Sequence, residues 1–201
     1  CIRDSSKIDW DFCKSRSSIR NTGLMLNGRD VEFQMRQDDR EDYLVGGELV
    51  QGGYREPSEP PLQIIDGGAN IGAFAIQAGS RFPEADLVCF EPDEVNVRQL
   101  NFNLKTNKIA AEVFSRALWA SAGSMYFRRQ SSYSGYLSKD PPGERVECVE
   151  LPAIRERCWL KLDIEGSEYE VLPALFQREE FPNWISAEIH YFAEKGVQIL
   201  D

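Results

Sequence analysis

The chain has 201 residues, 42% of them hydrophobic and 11% aromatic, which is the make-up of one folded domain with a buried core rather than of a disordered segment. A formal charge of −10 argues against the broad basic footprint of a nucleic-acid binder, and the small basic pair Arg128-Arg129 is read as solvated arginines on a hairpin. No apolar run approaches the roughly 20 residues that span a bilayer, and no signal-peptide pattern opens the chain.

Residues 1–60 are polar and weakly patterned. Within them, Leu24 to Phe33 brackets Asn27-Gly28, the signature of a hairpin. The charged stretch Asp38 to Asp42 is expected to start a helix through Tyr43 and Leu49, and Pro57-Ser58-Glu59-Pro60-Pro61 reads as a connector that no helix can cross. Residues 1–60 are therefore set apart as an N-terminal extension with substrate-side elements, and residues 61–201 as the core domain. In the core, strand and helix patterns alternate. Leu62 to Ile65 is a short buried strand, Ile71 to Arg81 a small-residue helix, and Asp86 to Phe90 a second strand. Asp93 caps a helix on which Val97, Leu100 and Leu104 recur at helical spacing. Ala111 to Phe114 is a third strand, and Gly123 to Phe127 opens an antiparallel excursion. Trp159 to Leu162 is a fourth strand, Ser167 to Phe176 a helix, and Trp184 to His190 a fifth strand. Successive βα units imply right-handed crossovers and a mainly parallel, doubly wound α/β sheet.

In such sheets, ligands sit beyond the carboxyl ends of the strands. Those ends carry Asp66 to Gly72, Glu91, Ser115 to Ala117, Asp163 to Gly166 and Glu188 to His190. Gly67, Gly68 and Gly72 let backbone approach a ligand and let the helix pack closely on its strand. Asn70 departs from the dinucleotide pattern GxGxxG, because its side chain stands where a pyrophosphate would reach the helix amides. Glu91, after the second strand, is placed to accept hydrogen bonds from both hydroxyls of a ribose.

Asp66-x-Gly68-x-Asn70-x-Gly72, Phe90-Glu91-Pro92, Lys161-Leu162-Asp163-Ile164-Glu165-Gly166-Ser167-Glu168 and Glu188-Ile189-His190 occur in that order. Over roughly residues 43–192 this series resembles the FkbM family of S-adenosylmethionine-dependent methyltransferases, and the Lys-x-Asp-Ile-Glu-Gly-x-Glu segment is its most specific piece. The resemblance implies a Rossmann-like class I methyltransferase fold of seven-strand type, with the last two strands at or beyond the C-terminal limit. It implies S-adenosyl-L-methionine as cofactor and S-adenosylhomocysteine as product. It also implies that Gly68, Ala69 and Asn70 face the methionine part, Glu91 holds the ribose, Ser115 to Ala117 border the adenine, and Asp163 lies beside the amino group or the reacting methyl.

The candidate cofactor residues are then Asp66, Gly67, Gly68, Ala69, Asn70, Gly72, Glu91, Pro92, Ser115, Arg116, Ala117 and Asp163. The acids Asp66, Glu91 and Asp163 have the right sign for a sulfonium cation. The candidate catalytic residues are His190, Asp163 and Glu165. His190 is the only histidine and is read either as a base or substrate-orienting group or as a structural side chain. Glu165 is read either as a base or substrate contact or as a cap of the next helix. Asp163, Glu165, Glu188 and His190 are types a divalent metal would accept, but no metal site is expected. Five cysteines without CxxC spacing predict neither zinc nor a disulfide framework, and Cys89 is read as a buried thiol.

The expected activity is methyl transfer to a hydroxyl of a small molecule or sugar, the hydroxyl preference resting on the family alone. A nicotinamide-dependent oxidoreductase and a non-catalytic cofactor-binding scaffold are the alternatives, and an RNA methyltransferase is disfavoured by charge. No nucleic-acid or membrane partner is expected, the default location is the cytoplasm, and the oligomeric state is left open. Acceptor contacts are sought in Gln130 to Tyr136, a closing loop or a hairpin tip, and in Trp10, Phe12, Tyr43 and Tyr54.

Overall fold

A computed structural model describes residues 20–26, 29–36, 42, 44–47, 54–131 and 134–190. Strands β1 (Arg20–Leu26) and β2 (Arg29–Met35) pair antiparallel, with Leu26 opposite Arg29, as the Asn27-Gly28 signal predicts. The helix expected from Asp42 through Leu49 lies partly outside the described residues, and residues 44–47 are helical.

The main sheet holds β3 (Gln63–Gly67), β4 (Asp86–Phe90), β5 (Glu112–Phe114), β10 (Cys158–Leu162) and β11 (Trp184–Ala187), all parallel, in the order β11-β10-β3-β4-β5. The middle strands β10 and β3 are buried along their whole length because both faces are covered. Ile64 and Trp159 face α1 (Ala73–Arg81) and α2 (Glu94–Thr106), and pack with Phe74, Ala78, Leu100 and Leu104. Ile65, Leu160 and Leu162 face the other way, against Val171, Leu172 and Leu175 of α3 (Glu168–Phe176). Trp159 fills the first layer, edge-on to Phe74 at 4.9 Å, with its indole N–H donating to Ser186 at 3.0 Å.

A second sheet, in the order β6-β9-β7-β8, contains the antiparallel excursion, with β6 added to β9 in parallel. It is built from β6 (Ala117–Leu118), β7 (Gly123–Arg129), β8 (Gly135–Ser138) and β9 (Glu144–Val149). Arg128 sits on this β7–β8 hairpin, 5.8 Å above the Tyr136 ring, and donates to the carbonyls of Asp140 and Pro141. The N-terminal hairpin is part of the core: Val31, Phe33 and Met35 pack on Ile71, Ala73 and Ile76. Asn103 fixes it by accepting from Gln34 N–H and donating to the carbonyls of Gln34 and Ile71.

Two boundaries differ from the sequence expectation. Helix α1 starts at Ala73, because Gly72 takes φ +98° and keeps Ile71 in the turn. Strand β11 ends at Ala187, three residues short of His190. Glu188 N–H still donates to the Leu162 carbonyl at 2.9 Å, after which the chain leaves the ladder. Among the described residues, no helix is long and apolar enough to cross a membrane.

Candidate active site

The carboxyl ends of β3, β4 and β10, the start of β6 and the β7–β8 turn surround one cleft of about 1050 Å3, counting its open mouth. Its floor is the glycine-rich turn. Gly68 has φ +75°, and a Cβ there would lie 1.9 Å from the Asp163 carbonyl oxygen, so only glycine allows β3 and β10 to end this close together. Gly67 is enclosed for a similar reason, between Leu118 and Leu162.

Beneath the turn lies a buried ion pair. Asp66 and Lys161 are register partners on β3 and β10, and both point into the apolar layer beneath α1. The Lys161 ammonium donates to the carbonyls of Gly68 (2.7 Å) and Gly67 (3.2 Å), and lies 3.2 Å from Asp66 Oδ1 and 4.0 Å from Asp163 Oδ2. The Tyr54 and Phe74 rings flank it at 5.7 and 5.9 Å. Burial works against the ammonium, but Asp66 and its other neighbours outweigh it and raise its pKa. Burial likewise pushes the Asp66 carboxyl up, with Lys161 pulling it back. Among the described residues, nothing donates a well-formed hydrogen bond to Asp66, so Lys161 is its main compensation.

Glu91 ends β4. Its Oε2 accepts Asn70 N–H at 2.9 Å, and its Oε1 accepts Asp93 N–H at 3.0 Å. Burial is the main force on this carboxyl and raises it to about 7, against the lowering effect of those amides. Asp93 caps α2 through Val95 N–H and meets Arg129 Nη2 at 2.5 Å, which ties the second sheet to the rim of the cleft.

The segment after β10 forms the opposite wall. Glu165 and Gly166 take φ +53° and +97°, and the buried Glu168 holds that turn by accepting Ile164 N–H and Gly166 N–H, each at 2.8 Å. The same carboxylate lies 3.4 Å from His190 Nδ1. His190 Nε2 points to Glu165 Oε2 at 3.5 Å and Asp163 Oδ1 at 3.7 Å, while Tyr54 donates its hydroxyl proton to Asp163 Oδ2 at 3.1 Å. Burial lowers the imidazole, but the Glu168 hydrogen bond and the surrounding carboxylates outweigh it and raise His190 to about 9. Burial, with Asp163, Glu168 and Glu188 nearby, lifts Glu165 to about 7 against the attraction of His190.

Of the sequence-chosen cofactor residues, Gly68, Ala69, Asn70, Glu91, Pro92, Ala117 and Asp163 line this cleft. Asp66, Gly67 and Gly72 stand behind it as supports. Ser115 and Arg116 are outside the lining: β5 ends at Phe114, and the Arg116 guanidinium turns to Glu147 at 2.9 Å. The catalytic candidates Asp163, Glu165 and His190 converge, and Glu188 lines the same wall. Tyr54, Ser131 and Ser134 also line the cleft. Trp10, Phe12, Tyr43 and Tyr133 lie outside the described residues.

Sequence reasoning gave Lys161 and Glu168 no role beyond their place in the family motif. A signal for Lys161 was present. It is a charge inside the otherwise apolar run Cys158–Leu162, and so requires a buried partner, and Asp66 follows the apolar pair Ile64-Ile65 on the neighbouring strand.

Five parallel strands in this order, with a glycine-rich turn after the central strand and an acid after its neighbour, define an α/β protein of the class I methyltransferase type. The chain belongs to the family of the methyltransferase FkbM domain, matching it over residues 66–201.

It is 31% identical over 146 residues to AMB antimetabolite synthetase AmbE of Pseudomonas aeruginosa, a match covering 71% of this chain but only 6% of that protein. Methyltransferase FkbM from Methylobacillus flagellatus shares 15% identity at a TM-score of 0.44, over 62% of this chain and 32% of that one. The tRNA (uracil-54, C5)-methyltransferase of Pyrococcus abyssi, solved with S-adenosyl-L-homocysteine, shares 12% identity at 0.47, over 78% and 31%.

Proposed function

We propose that this chain is an S-adenosyl-L-methionine-dependent methyltransferase acting on a hydroxyl of a small molecule or sugar. The observation that carries the reading is the convergence of three strand ends on one cleft: the Gly68–Asn70 turn, Glu91, and the group Asp163, Glu165 and His190. These residues fit that cofactor. Asp163 and Glu91 place negative charge along a cleft that would take a sulfonium and an ammonium. Glu91 Oε2 keeps a lone pair beyond the Asn70 amide for a ribose hydroxyl, while Oε1 accepts Asp93 N–H and, at 3.4 Å, the Asn96 side-chain amide. Phe90, Leu118 and Leu137 give an apolar wall for a flat base. The bound cofactor would supply an electrophilic methyl group.

The protein's part is alignment. Lys161 holds the glycine-rich turn, Glu168 holds the Asp163–Gly166 wall, and His190, Glu165 and Asp163 would hold and orient the acceptor hydroxyl. Family membership supports methyl transfer, and the acidic acceptor wall supports a hydroxyl acceptor that must lose a proton.

Thermal unfolding tests the reading. S-adenosylhomocysteine at a hundred times its Kd should stabilise the protein by about 2.7 kcal/mol, and NAD should not. Stabilisation by NAD alone would overturn it.

A further inference from the structure

The geometry points to a divalent-cation site of the Mg2+ or Mn2+ kind at the acceptor end of the cleft, held by Asp163, Glu165 and His190. This rests on the methyltransferase reading only for its use, since the donor set stands on its own. One ligating atom from each of the three residues falls within 4.8 Å of the others. His190 Nε2 is 3.5 Å from Glu165 Oε2 and 3.7 Å from Asp163 Oδ1. Donors around an octahedral ion with bonds of about 2.1 Å lie about 3 Å apart when adjacent and about 4 Å when opposite. The two His190 separations lie between those values, so small side-chain adjustments would seat the three donors on one ion.

Two further features favour a cation over a self-contained network. The first is the histidine's orientation. Glu168, fully buried and anchored by two backbone amides, faces Nδ1 at 3.4 Å. A metal-binding imidazole usually donates its other nitrogen's proton to a carboxylate in this way, which fixes the tautomer and aims Nε2 at the metal. The second is charge. Asp163, Glu165, Glu168 and Glu188 bring four carboxylates to this wall. The neighbouring lysine, Lys161, is 4.0 Å from Asp163 and already serves Asp66 and the carbonyls of Gly67 and Gly68. A half-buried excess of negative charge around one imidazole is the setting a hard cation relieves. Three protein donors leave positions open towards the cleft, where water or an acceptor oxygen would bind. The three ligands have no metal-motif spacing, so only the return of β11 beside β10 brings His190 to the acids.

The test is Mn2+ binding to the 201-residue chain, followed by loss of the free-ion electron paramagnetic resonance signal and by calorimetry. One site is expected. His190→Ala and Glu165→Gln should each weaken it about tenfold or more. Glu147→Gln, an exposed position on β9, should leave it unchanged. Absence of binding at millimolar Mn2+, or equal affinity in His190→Ala and the parent, overturns the site. Circular dichroism and the S-adenosylhomocysteine thermal shift are measured on the same samples. A retained shift without Mn2+ binding removes the cation site alone, whereas His190-dependent Mn2+ binding without any shift keeps the site and removes the cofactor reading.

Discussion

Replacing Lys161 by methionine removes the ammonium that compensates Asp66 and braces the glycine-rich turn, while nearly preserving side-chain length. At the observed 3.2 Å, with an effective dielectric of about 20, the Asp66–Lys161 attraction is about 5 kcal/mol before desolvation is subtracted. Breaking one partner of a buried pair typically costs about 3–5 kcal/mol, because the other charge is left uncompensated. We expect Lys161→Met to lose that much stability in equilibrium urea unfolding at pH 7. The loss should shrink towards acid pH. Without the ammonium, the folded-state pKa of Asp66 rises further above its unfolded value, so stability present at low pH is lost as pH rises through it. The double variant Lys161→Met with Asp66→Asn carries no charge at this pair and should recover at least about 1.5 kcal/mol relative to additive losses. S-adenosylhomocysteine affinity should fall in the single variant, since Gly67 and Gly68 lose their shared donor. A Lys161→Met protein within about 1 kcal/mol of the parent, or strictly additive losses, would refute the coupling.

Three other outcomes are expected. Glu91, raised from 4.5 to about 7 by burial, contributes stability that is complete below pH 4.5 and lost as pH climbs to 7. The stability of the parent relative to Glu91→Gln should therefore fall across that window by up to about 3 kcal/mol, and the variant should bind S-adenosylhomocysteine more weakly; a pH-independent difference in urea unfolding would contradict the burial argument. Gly68→Ala puts a Cβ 1.9 Å from a backbone oxygen at φ +75° and should cost more than about 2 kcal/mol, so an unchanged melting temperature would mean that the two strand ends are further apart. Glu168→Gln replaces a two-amide acceptor with a group that can satisfy only one of them through its carbonyl; a loss of about 1.5–3 kcal/mol is expected, and hydrogen exchange at Ile164 and Gly166 should accelerate, which retained protection would disprove.

The local chemistry of much of this molecule was legible in its order of residues. Asp93 after Phe90-Glu91-Pro92 signals a helix cap, and it caps α2. The short, mainly apolar stretches Leu62 to Ile65 and Trp159 to Leu162 signal strands, and β3 and β10 form there, buried along their whole length. The hairpin around Asn27-Gly28 was legible too, but not its packing on α1, because Val31, Phe33 and Met35 meet Ile71 and Ile76 only through tertiary contact. The end of β11 was misjudged for a related reason: Glu188 to His190 is compatible with strand by pattern, but the chain leaves the ladder there.

The sequence alone determined the α/β alternation, the turn that requires glycine and the acids at the strand ends, since each depends on neighbours in the chain. The tertiary structure decided which charges share a site. Lys161 finds Asp66, 95 positions back, because β10 lies beside β3 in register. Glu168 and His190 are brought together by α3 and by the return of β11 beside β10. Their ionisation depends on how far each is removed from water, and burial on both faces of a parallel sheet is a property of the assembled layers, which no local stretch of sequence carries.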